Sequence, residues 1–139
     1  MIDKISLLPQ YHVLHDSEFP MLFVGKNSLG DYLMASFLEE DDVVGRLKYF
    51  HLLVEDENLL NLLKGNISYL DVMRGATAIF LVEKSYNYEI LKFEKVLFSS
   101  LTKDMLPLKS SFFPTSILSL SANLEKRIRE RKNAFAYSH

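Results

Sequence analysis

The side chains in this sequence that could do chemistry are its histidines, two acidic clusters and one run of arginines and lysines. His12 and His15, followed by Asp16 and Glu18, combine imidazole with carboxylate, the donor types that suit zinc and other transition ions. On a strand His12 and His15 face opposite sides, and no second His pair follows to complete a tetrahedron. The segment reads as a polar strand end, and no metal is expected. His51 lies in the apolar run RLKYFHLLV, where an imidazole titrating near neutrality could serve as a general base. No motif ties a nucleophile to it, since the chain has no G-x-S-x-G elbow. The expectation is a partly buried structural histidine.

Glu39-Glu40-Asp41-Asp42 and Glu55-Asp56-Glu57 could hold a divalent ion or divide acid and base roles between carboxylates. Neither forms a D-x-D-x-D-G loop, and Glu83-x-Ser85 lacks the lysine that a metal-dependent nuclease strand of the E-x-K type requires. A loop and a helix start are the expected settings, with solvation and the helix dipole as the reasons for the charge. The five glycines, at 25, 30, 45, 65 and 75, form neither G-x-G-x-x-G nor a Walker loop, so no cofactor is expected. Catalytic residues are not identifiable from these patterns.

The one electrostatic asymmetry is the run from Glu125 to Lys132, in which Lys126, Arg127, Arg129, Arg131 and Lys132 outnumber Glu125 and Glu130. Such a helix could meet phosphates or an acidic protein surface. Basic residues in a last helical turn also complement the helix dipole, which is the structural alternative. With the aromatic SSFFPTS loop just upstream, the candidate interaction surface is Phe112, Phe113, Lys126, Arg127, Arg129 and Arg131.

These groups need a scaffold, and composition bounds it. The 139 residues fit a single domain spanning 1–139, with residues 133–139 expected to fray. A hydrophobic fraction of 48%, with 10 Phe and 7 Tyr, supplies a core. The formal net charge of -2 argues against a surface devoted to nucleic acid. Absence of Cys excludes a disulfide framework and a thiolate nucleophile, and fits a cytoplasmic setting. The N-terminal apolar run is broken at Pro9, too short for a signal peptide, and no 18-residue apolar stretch exists to span a membrane.

Local patterns predict an α+β fold with an antiparallel sheet of about five strands. Strands over Pro20 to Gly25, Asp31 to Leu38 and Arg46 to Val54 make a three-strand meander. On the third, Leu47, Tyr49, His51 and Leu53 share one face, while Lys48, Phe50, Leu52 and Val54 share the other. A short helical pair follows: one helix over about 57–64 stopped by Gly65, then a second capped by Ser68 and ended by Gly75. Ala76 to Glu83 and a partner from near Tyr88 make a hairpin. Residues 99–114 read as an irregular connection. A C-terminal amphipathic helix then carries Ile117, Leu120, Leu124 and Ile128, with Glu125 and Arg129 as an i,i+4 pair.

PMLFVGKNSLGDYL, then ENLLNLLKGNISYLDVM, then TAIFLVE resemble an uncharacterised group of small bacterial domains, in which an LLF.G...G..YL strand pair precedes an LL.G.isl.da helical pair. The resemblance covers roughly residues 19–83. It implies a fold and a bacterial or phage-encoded origin, and it supplies no catalytic residues. Three functions follow as expectations. The first is a non-catalytic interaction or accessory module whose partner is another protein or a second copy in a homodimer. The second is a nucleic-acid-binding accessory protein using Lys126, Arg127, Arg129 and Arg131. The third is a small hydrolase or nuclease built on unrecognised carboxylates and His51.

Overall fold

The structure, a computed structural model, describes residues 2–9, 11–16, 20–107 and 118–137. Its elements run α1 (Ile2–Ile5), β1 (Tyr11–Asp16), β2 (Pro20–Lys26), β3 (Tyr32–Asp41), β4 (Arg46–Leu53), α2 (Asp56–Leu63), α3 (Tyr69–Arg74), β5 (Ala78–Lys84), β6 (Ile90–Val96) and α4 (Leu118–Tyr137). Single 3-10 turns at Phe98–Ser100 and Lys103–Met105 follow β6. The strands form one six-stranded antiparallel sheet in the order β1-β2-β3-β4-β5-β6. The expected meander and hairpin are therefore parts of one ladder, which β1 extends at its outer edge. No described helix is long and apolar enough to cross a membrane.

Strand alternation gives the sheet two apolar faces, in keeping with the pattern along β4. Val24, Tyr32, Met34, Phe50, Leu52, Val54 and Ile79 join Leu59, Leu62, Val72, Met73, Leu120 and Leu124 in the main core, so α2, α3 and α4 cover this face. The opposite face carries Phe23, Ala35, Leu47 and Tyr49 beside Phe80 and Val82. Among the described residues its cover is thin: Ile5 of α1 packs on Phe80 and Val82, and Leu7 packs toward Phe23 and Tyr49. Gly25 lets this N-terminal strap lie flat, because a Cβ there would stand 2.9 Å from both Leu7 Cδ2 and Tyr11 Cβ. The Leu8 amide donates to the Lys26 carbonyl at 2.9 Å and pins the strap to β2.

The helical pair forms as its local signals direct. Gly65 takes φ +77° after α2, while the Gly65 amide donates to Leu62 and the Asn66 amide to Asn61. At α3 the Ser68 hydroxyl accepts from the Asp71 amide at 3.1 Å, and the Asp71 carboxylate accepts from the Ser68 amide at 3.2 Å.

One expectation changes at β3, which runs on through the acidic cluster to Asp41 instead of ending at Leu38. The acidic residues stay in the ladder because β4 answers them with basic ones: Glu39 opposes Lys48 in an ion pair of 3.2 Å, and Asp41 opposes Arg46. A register shift between Phe37 and Glu39 absorbs Leu38.

Candidate binding cleft

The residues with unusual chemistry lie on the thinly covered face. Alternation along β5 places Phe80 and Val82 toward α1 and, continued one step past the expected strand end at Glu83, sends Lys84 the same way. Lys84 is 3% exposed. Its Nζ lies 4.4 Å from the Tyr49 ring centroid and 5.0 Å from that of Phe23, a cation–π setting. Among the described residues no carboxylate stands within ion-pair distance of it. Burial pushes the amine down to about 7 from its ordinary 10.5.

His51 occupies the floor beside it and is 1% exposed, more deeply buried than the sequence suggested. Its Nδ1 lies 2.6 Å from the Ile5 carbonyl oxygen. A carbonyl only accepts, so Nδ1 carries the proton and Nε2 presents a lone pair. Among the described residues Nε2 is the one buried side-chain nitrogen or oxygen without a hydrogen-bond partner. Burial first, then the Lys84 charge, lowers the imidazole to about 3 despite the opposing contact with Ile5. The ring is neutral at physiological pH.

A cleft of about 430 Å³ opens over this pair, with Phe23, His51 and Lys84 in its lining and Ile2, Leu8, Tyr11 and Tyr88 around it. Those four are exposed by 48%, 43%, 41% and 40%, so the rim is apolar and accessible. Tyr88 is held on the rim at φ +64°, a left-handed conformation that costs a non-glycine residue roughly 1–2 kcal/mol. Glu89 also lines the cleft. The geometry supplies one amine donor, one imidazole acceptor and apolar walls, which is the make-up of a binding pocket. Ser6 also lines the cleft, and its Oγ donates to the Ile2 carbonyl at 2.9 Å.

A second buried charge lies on the helical side. Asp56, at the first turn of α2, is 3% exposed, whereas the sequence pattern predicted a solvated cluster. Arg127 Nε meets its Oδ2 at 3.0 Å and Arg131 Nη2 meets the same oxygen at 2.9 Å. Arg127 also donates to the Gly30 carbonyl at 2.7 Å and lies over the Tyr32 ring at 4.7 Å. Two members of the expected interaction surface thus fasten α4 to α2. Because α4 continues to Tyr137, the basic run sits in mid-helix and not in a last turn.

The remaining members are dispersed. Lys126 pairs with Glu130 at 3.9 Å, and Glu125 reaches Lys64 at 3.5 Å instead of Arg129. Arg129 is exposed. Phe112 and Phe113 lie outside the described residues. His12 is half-buried on β1, and the described residues contain no group of three His, Asp or Glu side chains that could hold a metal. The sequence pattern ends this strand at Glu83, one residue short of Lys84; the signal for Lys84 is the alternation of Phe80 and Val82, which one further step carries to a lysine on an apolar face. No protein-family model, curated protein or solved structure matches this chain.

Proposed function

We propose that this domain is a non-catalytic interaction module, an accessory component of a bacterial or phage system that docks another protein at the cleft beneath its N-terminal strap. The observation that carries the reading is a buried amine without a counter-ion among the described residues, on the floor of a cleft whose rim is four exposed apolar side chains. Aromatic and aliphatic rims of this kind supply the desolvated centre of a protein interface. Engagement of Arg127 and Arg131 by Asp56 leaves the nucleic-acid reading with less free charge than the sequence implied. The absence of Cys and the sequence resemblance support a cytoplasmic, bacterial setting.

The test is co-purification from the native host, comparing the unaltered chain with a Leu8→Glu, Tyr11→Glu variant. Both positions are exposed, so a thermal melt should confirm that the variant folds. The expected result is a stoichiometric partner held by the unaltered chain and lost from the variant. A chain that stays alone at native concentration, or a partner retained undiminished by the variant, sinks the reading. Light scattering identifies a second copy as the occupant if mass doubles without any other protein.

A further inference from the structure

Resting on the interaction reading, we infer that the cleft recognises a single carboxylate carried on an apolar segment of the partner, and that it takes up a proton at Lys84 as the segment docks. Three features of the geometry select this chemistry. Lys84 is buried over two ring faces with no carboxylate in reach among the described residues, so an arriving anion supplies the missing countercharge. His51 Nε2 is a buried lone pair without a partner, and a protonated Lys84 has three N–H groups, enough to serve both a carboxylate and a neighbouring acceptor. Among the described residues the lining is mostly apolar and offers no guanidinium fork and no glycine-rich backbone nest. A phosphate dianion needs several donors, whereas one amine matches one negative charge.

Proton uptake follows from the burial. With the cleft empty the amine titrates at about 7; a carboxylate against it favours the ammonium and raises that value. Binding is therefore strongest below pH 7 and weakens as pH rises above it, until the bound form also loses its proton. The other groups facing Lys84 do not reproduce this profile. From β4, His51 titrates at about 3 and the Tyr49 hydroxyl is pushed upward by burial. From β1 and the β5–β6 turn, Tyr11, Tyr88 and Glu89 stand at the rim, and from the strap Ser6 is a neutral hydroxyl. Asp3 and Lys4 of α1 are exposed and do not line the cleft. Among the described residues Glu89 is the one carboxylate in the lining, and it favours a ligand of low charge.

The experiment is calorimetric titration of the whole chain with hexanoate, hexanamide and the capped tripeptides acetyl-Leu-Glu-Leu-amide and acetyl-Leu-Gln-Leu-amide, between pH 6 and pH 9. At pH 6 the Glu peptide should bind at least about tenfold more tightly than the Gln peptide, the strength of one charge-assisted hydrogen bond. Hexanoate should exceed hexanamide in the same sense but bind more weakly than the peptide. Affinity should fall by about tenfold per pH unit above 7, with proton uptake revealed by heats that depend on the buffer. Lys84→Met should abolish both the preference for acid over amide and the pH dependence. Glu89→Gln, an exposed change, should tighten binding about twofold by removing a like charge.

Equal binding of Glu and Gln peptides overturns carboxylate recognition, as does no binding of either acid at pH 6. Hexanoate binding as tightly as the Glu peptide overturns the partner segment as occupant in favour of a free organic acid. If the rim variant loses the native partner while these probes fail, the interaction reading stands and this inference alone falls.

Discussion

Asp56 and Lys84 are both buried charges, and the molecule answers them in opposite ways. Asp56 has two guanidinium groups on one of its oxygens, at 3.0 and 2.9 Å. Lys84 has two aromatic faces and a neighbouring imidazole that carries no charge at neutral pH. A buried carboxylate with its countercharge at hand is complete, and what it achieves is the fastening of α4 to α2. A buried amine with no countercharge among the described residues is destabilising for the isolated domain. That cost is the physical basis of the proposal that the face carrying Lys84, and not the helical face, is the side that meets another molecule.

The comparison breaks most visibly if Asp56 is stranded. Replacing Arg127 and Arg131 together by Met should cost about 3–5 kcal/mol, because a buried carboxylate is left unpaired. Adding Asp56→Asn to that double variant should recover most of the loss in urea denaturation. Failure to recover would assign the cost to the lost Arg127 contacts with the Tyr32 ring and the Gly30 carbonyl instead of to the Asp56 charge. Lys84→Met should do the reverse and stabilise the fold. The unfolded chain holds that proton up to pH 10.5 and the folded one only to about 7. The folded state is therefore penalised in full below pH 7, and the penalty disappears as pH climbs toward 10.5. The expected gain is about 3 kcal/mol at pH 6, after the lost cation–π contacts are deducted, and near zero at pH 10.

A smaller effect belongs to His51. Its folded value of about 3 against an ordinary 6.5 means that the unfolded state binds more protons between those limits. Stability should fall by about 2 kcal/mol from pH 7 to pH 5, and this slope should persist in the Lys84→Met variant. The smallest effect separates the members of the basic run. Arg129→Ala should change stability by no more than about 0.5 kcal/mol, as for an ordinary exposed position, while Arg127→Ala should cost about 2 kcal/mol. Equal costs would mean that the Asp56 contacts do not hold α4 in place.

The sequence was most legible where local chemistry decides structure. Ser68, Asp71 and Gly65 announce the helical pair through capping groups that need no distant partner, and the alternation of Leu47, Tyr49, His51 and Leu53 assigns both faces of β4. Less was readable where distant partners decide. Nothing near Asp56 in the chain reveals that Arg127 and Arg131 return to it, so its burial was hidden. The acidic end of β3 looked like a break because Lys48 and Arg46, which neutralise it across the ladder, act only once the hairpin forms. Lys84 shows a different gap: its inward direction was present in the alternation, but a lysine after a glutamate is ordinarily taken as the end of a strand.

The simple strand order has a consequence for how the chain reaches its native state. Every sheet pairing joins strands adjacent in sequence, so the ladder can grow pair by pair, with the helical pair α2 and α3 as the one long connection, between β4 and β5. The contacts between α4 and α2 are of another kind, since they join positions as far apart as 56 and 131. Closing that loop is expected to come late and to reopen first, before the central strands exchange their amide hydrogens. An assembled ladder with α4 undocked would leave Tyr32, Leu59 and Leu62 wet and Asp56 hydrated. The arginine clasp would then act as the final latch of folding, and hydrogen exchange in α2 should report its opening well before exchange in β4.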